Sequence, residues 1–149
     1  MGTHNRLVNL SSTAFPQCYL EIIAINPIAN HADRTCRNRW FDMDNPVLQA
    51  HLAQQGPRLT HWVCRVPDAQ ASTQALAARG IDRGVVTTAS RMTPHGVLSW
   101  QITLREDGQR LFDGCLPTLI QWGTHHPAHR LPDLGVALLG LNLDRKSTR

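Results

Sequence analysis

Lysine is almost missing from this chain: of its 15 basic residues only Lys146 is a lysine, and the rest are arginines. Glutamate is as scarce, with Glu21 and Glu106 set against nine aspartates. The excess of basic over acidic residues leaves a net charge of +4. That charge is dispersed. Arg34, Arg37 and Arg39 form one cluster, Arg145, Lys146 and Arg149 a short tail, and the others stand singly. A surface that tracks phosphates needs a longer basic stripe interleaved with aromatics, so no nucleic-acid partner is expected. No apolar run approaches the roughly 20 residues that span a bilayer. Met1 to Asn9 holds no basic segment followed by an apolar one, so no signal peptide is read there. The expectation is a cytoplasmic protein with no membrane partner. There is no G-x-G-x-x-G or Walker A sequence, hence no nucleotide cofactor. Ser90 and Ser99 lack a G-x-S-x-G setting. Cys18, Cys36, Cys64 and Cys115 make no C-x-x-C pair and read as small buried hydrophobes in a reducing compartment.

What is present is enough to fold. A hydrophobic share of 42% with only 17% charged residues excludes a disordered chain, and 149 residues make one domain. Thr3–Leu10 and Cys18–Ile25 read as strands forming an antiparallel pair. Pro46–Gln55 has helical spacing, with Asn45 as N-cap, Pro46 in the first turn and Gly56-Pro57 as the stop. Leu59–Val66 reads as a strand and Ala69–Arg79 as a helix closed by Gly80. Ile81–Thr88 and Val97–Arg105 read as strands separated by a loop over Ser90–Gly96. Pro117–Trp122 is another strand. A His-rich loop, Gly123–Pro132, is expected to be exposed, and Val136–Leu143 is expected to form a last strand. The predicted fold class is α+β. It comprises 1–25 as end strands, 26–58 as a connection with a helix, 59–123 as a complete βαβββ unit, and 124–149 as loop, extra strand and tail.

Three polar residues interrupt apolar strands: Glu21 in YLEII, His61 in LTHWV and Gln121 in LIQW. A buried carboxylate without a partner costs several kcal/mol or is neutralised. Taken singly, each is explained by an ion pair or a satisfied position on a strand face. Taken together on one curved sheet, they converge on its concave side. A carboxylate, an imidazole and an amide oxygen suit a divalent cation without selecting one of Zn, Fe, Mn, Ni or Mg. Arg91 and His95 flank a loop that borders a pocket. Trp62, Trp100 and Trp122 are candidates to line it.

The blocks GTHNRLVNL, CYLEIIAINP, RWFDMD, PRLTHWVCRV, SRMTPHGVLSW and LPTLIQWGTHHPAHRLPD, in this order, resemble the glyoxalase-like domain family of the vicinal oxygen chelate superfamily. The resemblance runs from about Gly2 to about Leu143. It implies paired βαβββ modules whose mixed sheets curl into a cup with the helices outside. On that resemblance the chain is expected to open on a late strand of module one, leaving that module incomplete. The resemblance further implies a divalent metal held by Glu21, His61 and Gln121, with Glu21 as ligand, base or both. Gln121 would be a neutral amide where a carboxylate is common. His4, Asn5, Arg91 and Trp100 are expected to contact a small-molecule ligand, His4 also being a substitute metal ligand. The implied activity is that of a lyase, isomerase or dioxygenase acting on vicinal oxygens. The alternative is a metal-free protein that binds or sequesters a small ligand. The open sheet edge from Leu7 to Ile25 predicts a homodimer.

Overall fold

The computed structural model describes residues 2–28 and 38–143. Arg34, Arg37, Cys36 and the basic tail lie outside the described residues. Strands β1 (Thr3–Asn9) and β2 (Tyr19–Ile25) pair antiparallel as a two-stranded sheet, with Asn5 opposite Ile23 and Leu7 opposite Glu21. Alternation gives the hairpin two distinct faces. Asn5, Leu7, Tyr19, Glu21 and Ile23 are partly covered, whereas His4, Arg6, Leu20, Ile22 and Ala24 are exposed.

Helix α1 (Pro46–Gln55) follows the local rules closely. The Asn45 side chain accepts from the Val47 and Leu48 amides, satisfying donors that have no partner inside the helix, and the helix stops at Gly56. Leu48 is its buried anchor.

The remaining elements make one βαβββ unit: β3 (Val63–Arg65), α2 (Ala69–Ala77), β4 (Val85–Thr93), β5 (Gly96–Leu104) and β6 (Thr118–Trp122). The strand order is β3-β6-β5-β4, with β3 parallel to β6 and the other pairs antiparallel. The α+β class and the mixed sheet are as expected, and the described strands close no barrel. Gly84 opens β4 at φ +85°, where a Cβ would stand 2.1 Å from the Leu104 carbonyl oxygen. Only glycine permits that approach. One face of the sheet carries Leu119, Thr103 and Gln121 and meets α2. The other carries Arg65, Ile120, Trp122, Ile102, Trp100, Ala89 and Arg91.

The strand limits differ from the sequence reading chiefly in three places, besides β4 starting at Val85 rather than Ile81. Residues 59–62 are not strand, so His61 precedes β3. The segment expected to be a loop over Ser90–Gly96 is instead the tip of a long hairpin. The ladder continues to Thr93 opposite Gly96, and the Thr93 hydroxyl donates to the Gly96 carbonyl across a two-residue turn. Ser90 and Arg91 do not interrupt the strand. The last apolar run forms no strand. Its backbone touches the rest of the chain through the Leu138 amide, which donates to the Leu10 carbonyl, and the Leu138 carbonyl, which accepts from Ser12 Oγ. Leu134, Leu139 and Leu143 remain exposed.

Candidate functional site

The inner face of the hairpin and the inner face of β4–β5–β6 share a set of side chains. Asn5 Nδ2 donates to Glu21 Oε1. Arg91 Nη1 donates to Asn5 Oδ1 at 3.4 Å, joining the two sheets through polar groups. Tyr19 stands two residues before Glu21 on the same face and is mostly buried, which raises its pKa. The Glu21 charge raises it further and Arg91 opposes. From Tyr19 a run of rings crosses the cleft: Tyr19 to His126 at 5.8 Å, His126 to Trp122 at 5.2 Å, and Trp122 to Trp100 at 5.6 Å between centroids. The site therefore has a carboxylate, an amide and a guanidinium at one end and an aromatic wall along its side.

Asn5, Glu21 and Arg91 are thus joined by hydrogen bonds, and Trp100 lies on the same sheet face as Arg91. His4 is not. It lies on the exposed face of β1, one residue out of phase with Asn5. Trp62 is also elsewhere, since its indole N–H donates to the Cys115 carbonyl at 3.0 Å.

The expected metal set is not assembled. Gln121 points to the helix side of the sheet, where its Oε1 accepts from the Ala69 amide at the start of α2, 2.9 Å away. Period-two alternation sends Trp122, not Gln121, into the cleft. His61 is occupied as well. Its Nε2 accepts from the Thr118 amide at 3.3 Å and lies 3.0 Å from the Thr118 hydroxyl. Its Nδ1 is buried without a partner. Burial, then the charges of Arg83 and Arg110, lower the His61 pKa to about 4. A cation would have to displace these contacts and share a neighbourhood with two arginines. Among the described residues no group of three or more His, Cys, Asp or Glu is placed to hold a metal ion. The donor set therefore does not fit a divalent metal.

His126 corrects another expectation, because it is 7% exposed rather than part of an open loop. It N-caps the 3-10 turn Pro127–Arg130, with Nδ1 accepting from the Ala128 amide at 3.2 Å. The His-Pro pair at 126–127 was the sequence cue, since proline suits the first position after a cap. Tyr19 is not among the residues the sequence singled out; its place two residues before Glu21, on the same strand face, is the signal that marks it.

A mixed βαβββ sheet beside a two-stranded hairpin defines an α+β domain. The family model for the glyoxalase-like domain matches residues 1–148, and the chain belongs to that family, within the vicinal oxygen chelate superfamily. No curated protein and no solved structure matches it. No helix among the described residues is long and apolar enough to cross a membrane.

Proposed function

We propose that this glyoxalase-like protein is a metal-free binder of a small planar organic molecule, held between the hairpin and the four-stranded sheet. The observation that carries the reading is the placement of Glu21. It accepts from Asn5, which in turn accepts from Arg91, with Trp100 on the same sheet face as Arg91, while the other two members of the expected metal set are spent on Ala69 and Thr118. An acceptor carboxylate beside a donor guanidinium suits a ligand with a donor and an acceptor side by side, as in an aromatic amide. The flat body would lie on Trp100 and Trp122, where stacking adds to area burial.

Titration of tryptophan fluorescence with salicylamide tests this. Saturable quenching is expected, unchanged by added divalent metal. Glu21→Gln is expected to weaken binding about tenfold, the scale of one hydrogen bond to a charged group. Absence of quenching, or equal affinity in Glu21→Gln and Arg91→Gln, would overturn the reading. So would near-stoichiometric metal in the purified protein.

The same reading includes a homodimer. The hairpin is a two-stranded sheet with no further strand paired to it among the described residues, and its outer face exposes Leu20 and Ile22, the latter 56% accessible. Such edges invite a second chain. Sedimentation at micromolar concentration should show a dimer, and Ile22→Asp should shift it to monomer. A wild-type monomer across that range would count against it.

A further inference from the structure

Beside the His126 and Trp122 rings lies a cleft of about 440 Å³, bordered by Gln17, Arg65, Trp122, Thr124, His126 and His129. We infer that this cleft is a binding site for an organic carboxylate, with Arg65 and His126 as its anion-recognising groups and Trp122 as the floor for an aromatic body. Three independent observations lead to it.

The first is charge. Arg65 projects from the same face of the sheet as Ile120 and Trp122, because it pairs with Ile120 across the parallel ladder. Among the described residues it forms no ion pair, although Arg39, Arg105 and Arg110 each have an aspartate. No carboxylate borders the cleft. A planar fork of N–H donors left without an acid matches the geometry of a carboxylate.

The second is the fixed tautomer of His126. Its Nδ1 is used as the acceptor for the Ala128 amide, so the neutral ring carries its proton on Nε2 and is a donor there. Burial, then Arg65, then His129 keep the ring neutral by lowering its pKa to about 4. Arg65 is therefore close enough for its charge to be felt at the imidazole. A donor on the ring and the guanidinium fork act on the same bound anion.

The third is the support behind His129. Gln17 holds a backbone φ of +58°, uncommon for a residue with a side chain. From there its amide lies 2.5 Å from His129 Nε2, while its Oε1 is buried without a partner. That unsatisfied atom and that backbone are tolerated at the rim of the cleft, a place where function often retains strain.

Both readings use Trp122, but their polar groups differ, Glu21 in one and Arg65 with His126 in the other, and a titration followed by NMR separates the two. The probe is benzoate at pH 7, with the ring resonances of His126 as readout. A saturable shift is expected. Arg65→Gln should weaken binding at least tenfold, and Arg65→Lys, which keeps the charge but loses the fork, should fall between. Glu21→Gln should leave benzoate affinity unchanged. Inorganic phosphate is the competing arm and is expected to bind at least tenfold more weakly than benzoate, because it makes no use of Trp122. The inference is overturned if benzoate leaves His126 unmoved. It is equally overturned if phosphate matches benzoate, or if both Arg65 variants bind as the wild type does.

Discussion

Arg83→Ala is expected to lower the unfolding free energy by about 3 kcal/mol, one of the two largest effects predicted for this molecule. Arg83 is only 2% exposed and has no ion-pair partner among the described residues. Its guanidinium is satisfied by neutral groups: Nε donates to the Pro117 carbonyl at 2.6 Å, and Nη2 donates to the Thr118 hydroxyl. Burial lowers its pKa, Arg105 pushes the same way, and Asp82 opposes. Removing the side chain leaves a cavity along its stem. It also takes its donor from the part-buried Pro117 carbonyl, a loss at the lower end of the about 1–3 kcal/mol that an unsatisfied buried group costs. The Thr118 hydroxyl also loses a donor but keeps its contact with His61 Nε2. Arg83→Met separates the contributions. It refills the volume and removes a desolvated charge, so about half the loss should return. Thermal unfolding followed by circular dichroism should show Tm falling by roughly 6–12 °C for the alanine variant at this chain length. A fall under about 2 °C would mean that the buried guanidinium is close to neutral for stability.

Much of the fold was legible because local chemistry and tertiary placement agree in those places. The Asn45 cap, Pro46 and Gly56 bound α1 as read, and the antiparallel pairing of β1 and β2 follows from their alternation. What failed did so for identifiable reasons. An apolar run predicts a strand only if a sheet edge receives it, and the run from Val136 to Leu143 meets none. The hairpin tip carries Ser90, Arg91 and Thr93, polar residues that read as loop. Two of these strand positions, Ser90 and Arg91, are exposed, where a polar side chain costs nothing.

The candidate site was half legible, and the division is one of strand phase. Glu21 and Asn5 share one hairpin face, and Arg91 and Trp100 one sheet face, whereas Gln121 and His4 are each one residue out of phase. A polar residue in an apolar strand announces that its side chain has a polar partner. It does not say on which side of the sheet. For Gln121 the partner is a helix N-terminal amide, a contact that joins residues 52 positions apart and leaves no trace in local spacing. For His61 it is Thr118, 57 positions away.

Acid should destabilise the protein before its carboxylates are titrated. His61 and His126 both have pKa values lowered to about 4, burial being the first cause in each case. In the unfolded chain both rings return to the ordinary value of about 6.5. Between roughly pH 6.5 and pH 4 the unfolded state therefore binds protons that the folded state refuses. Unfolding free energy must rise with pH across that window and fall on acidification. Above it both states are neutral at these rings and the dependence vanishes. Each unit of separation is worth about 1.4 kcal/mol, and both rings retain some contact with solvent. A loss of about 2–4 kcal/mol for the pair between pH 7 and pH 4 is the reasonable size. Urea unfolding at pH 7, 5.5 and 4.5 should show the midpoint dropping over this range. In His61→Gln the slope should be roughly halved, because one of the two rings is gone. Arg83→Met gives a second handle, since the Arg83 charge opposes protonation of His61 more than that of Arg110 does. Its removal should raise the His61 pKa and flatten the same curve. A midpoint unchanged from pH 7 to pH 4.5, or ring resonances of His61 and His126 that titrate above pH 6, would show that neither ring is held neutral by its surroundings.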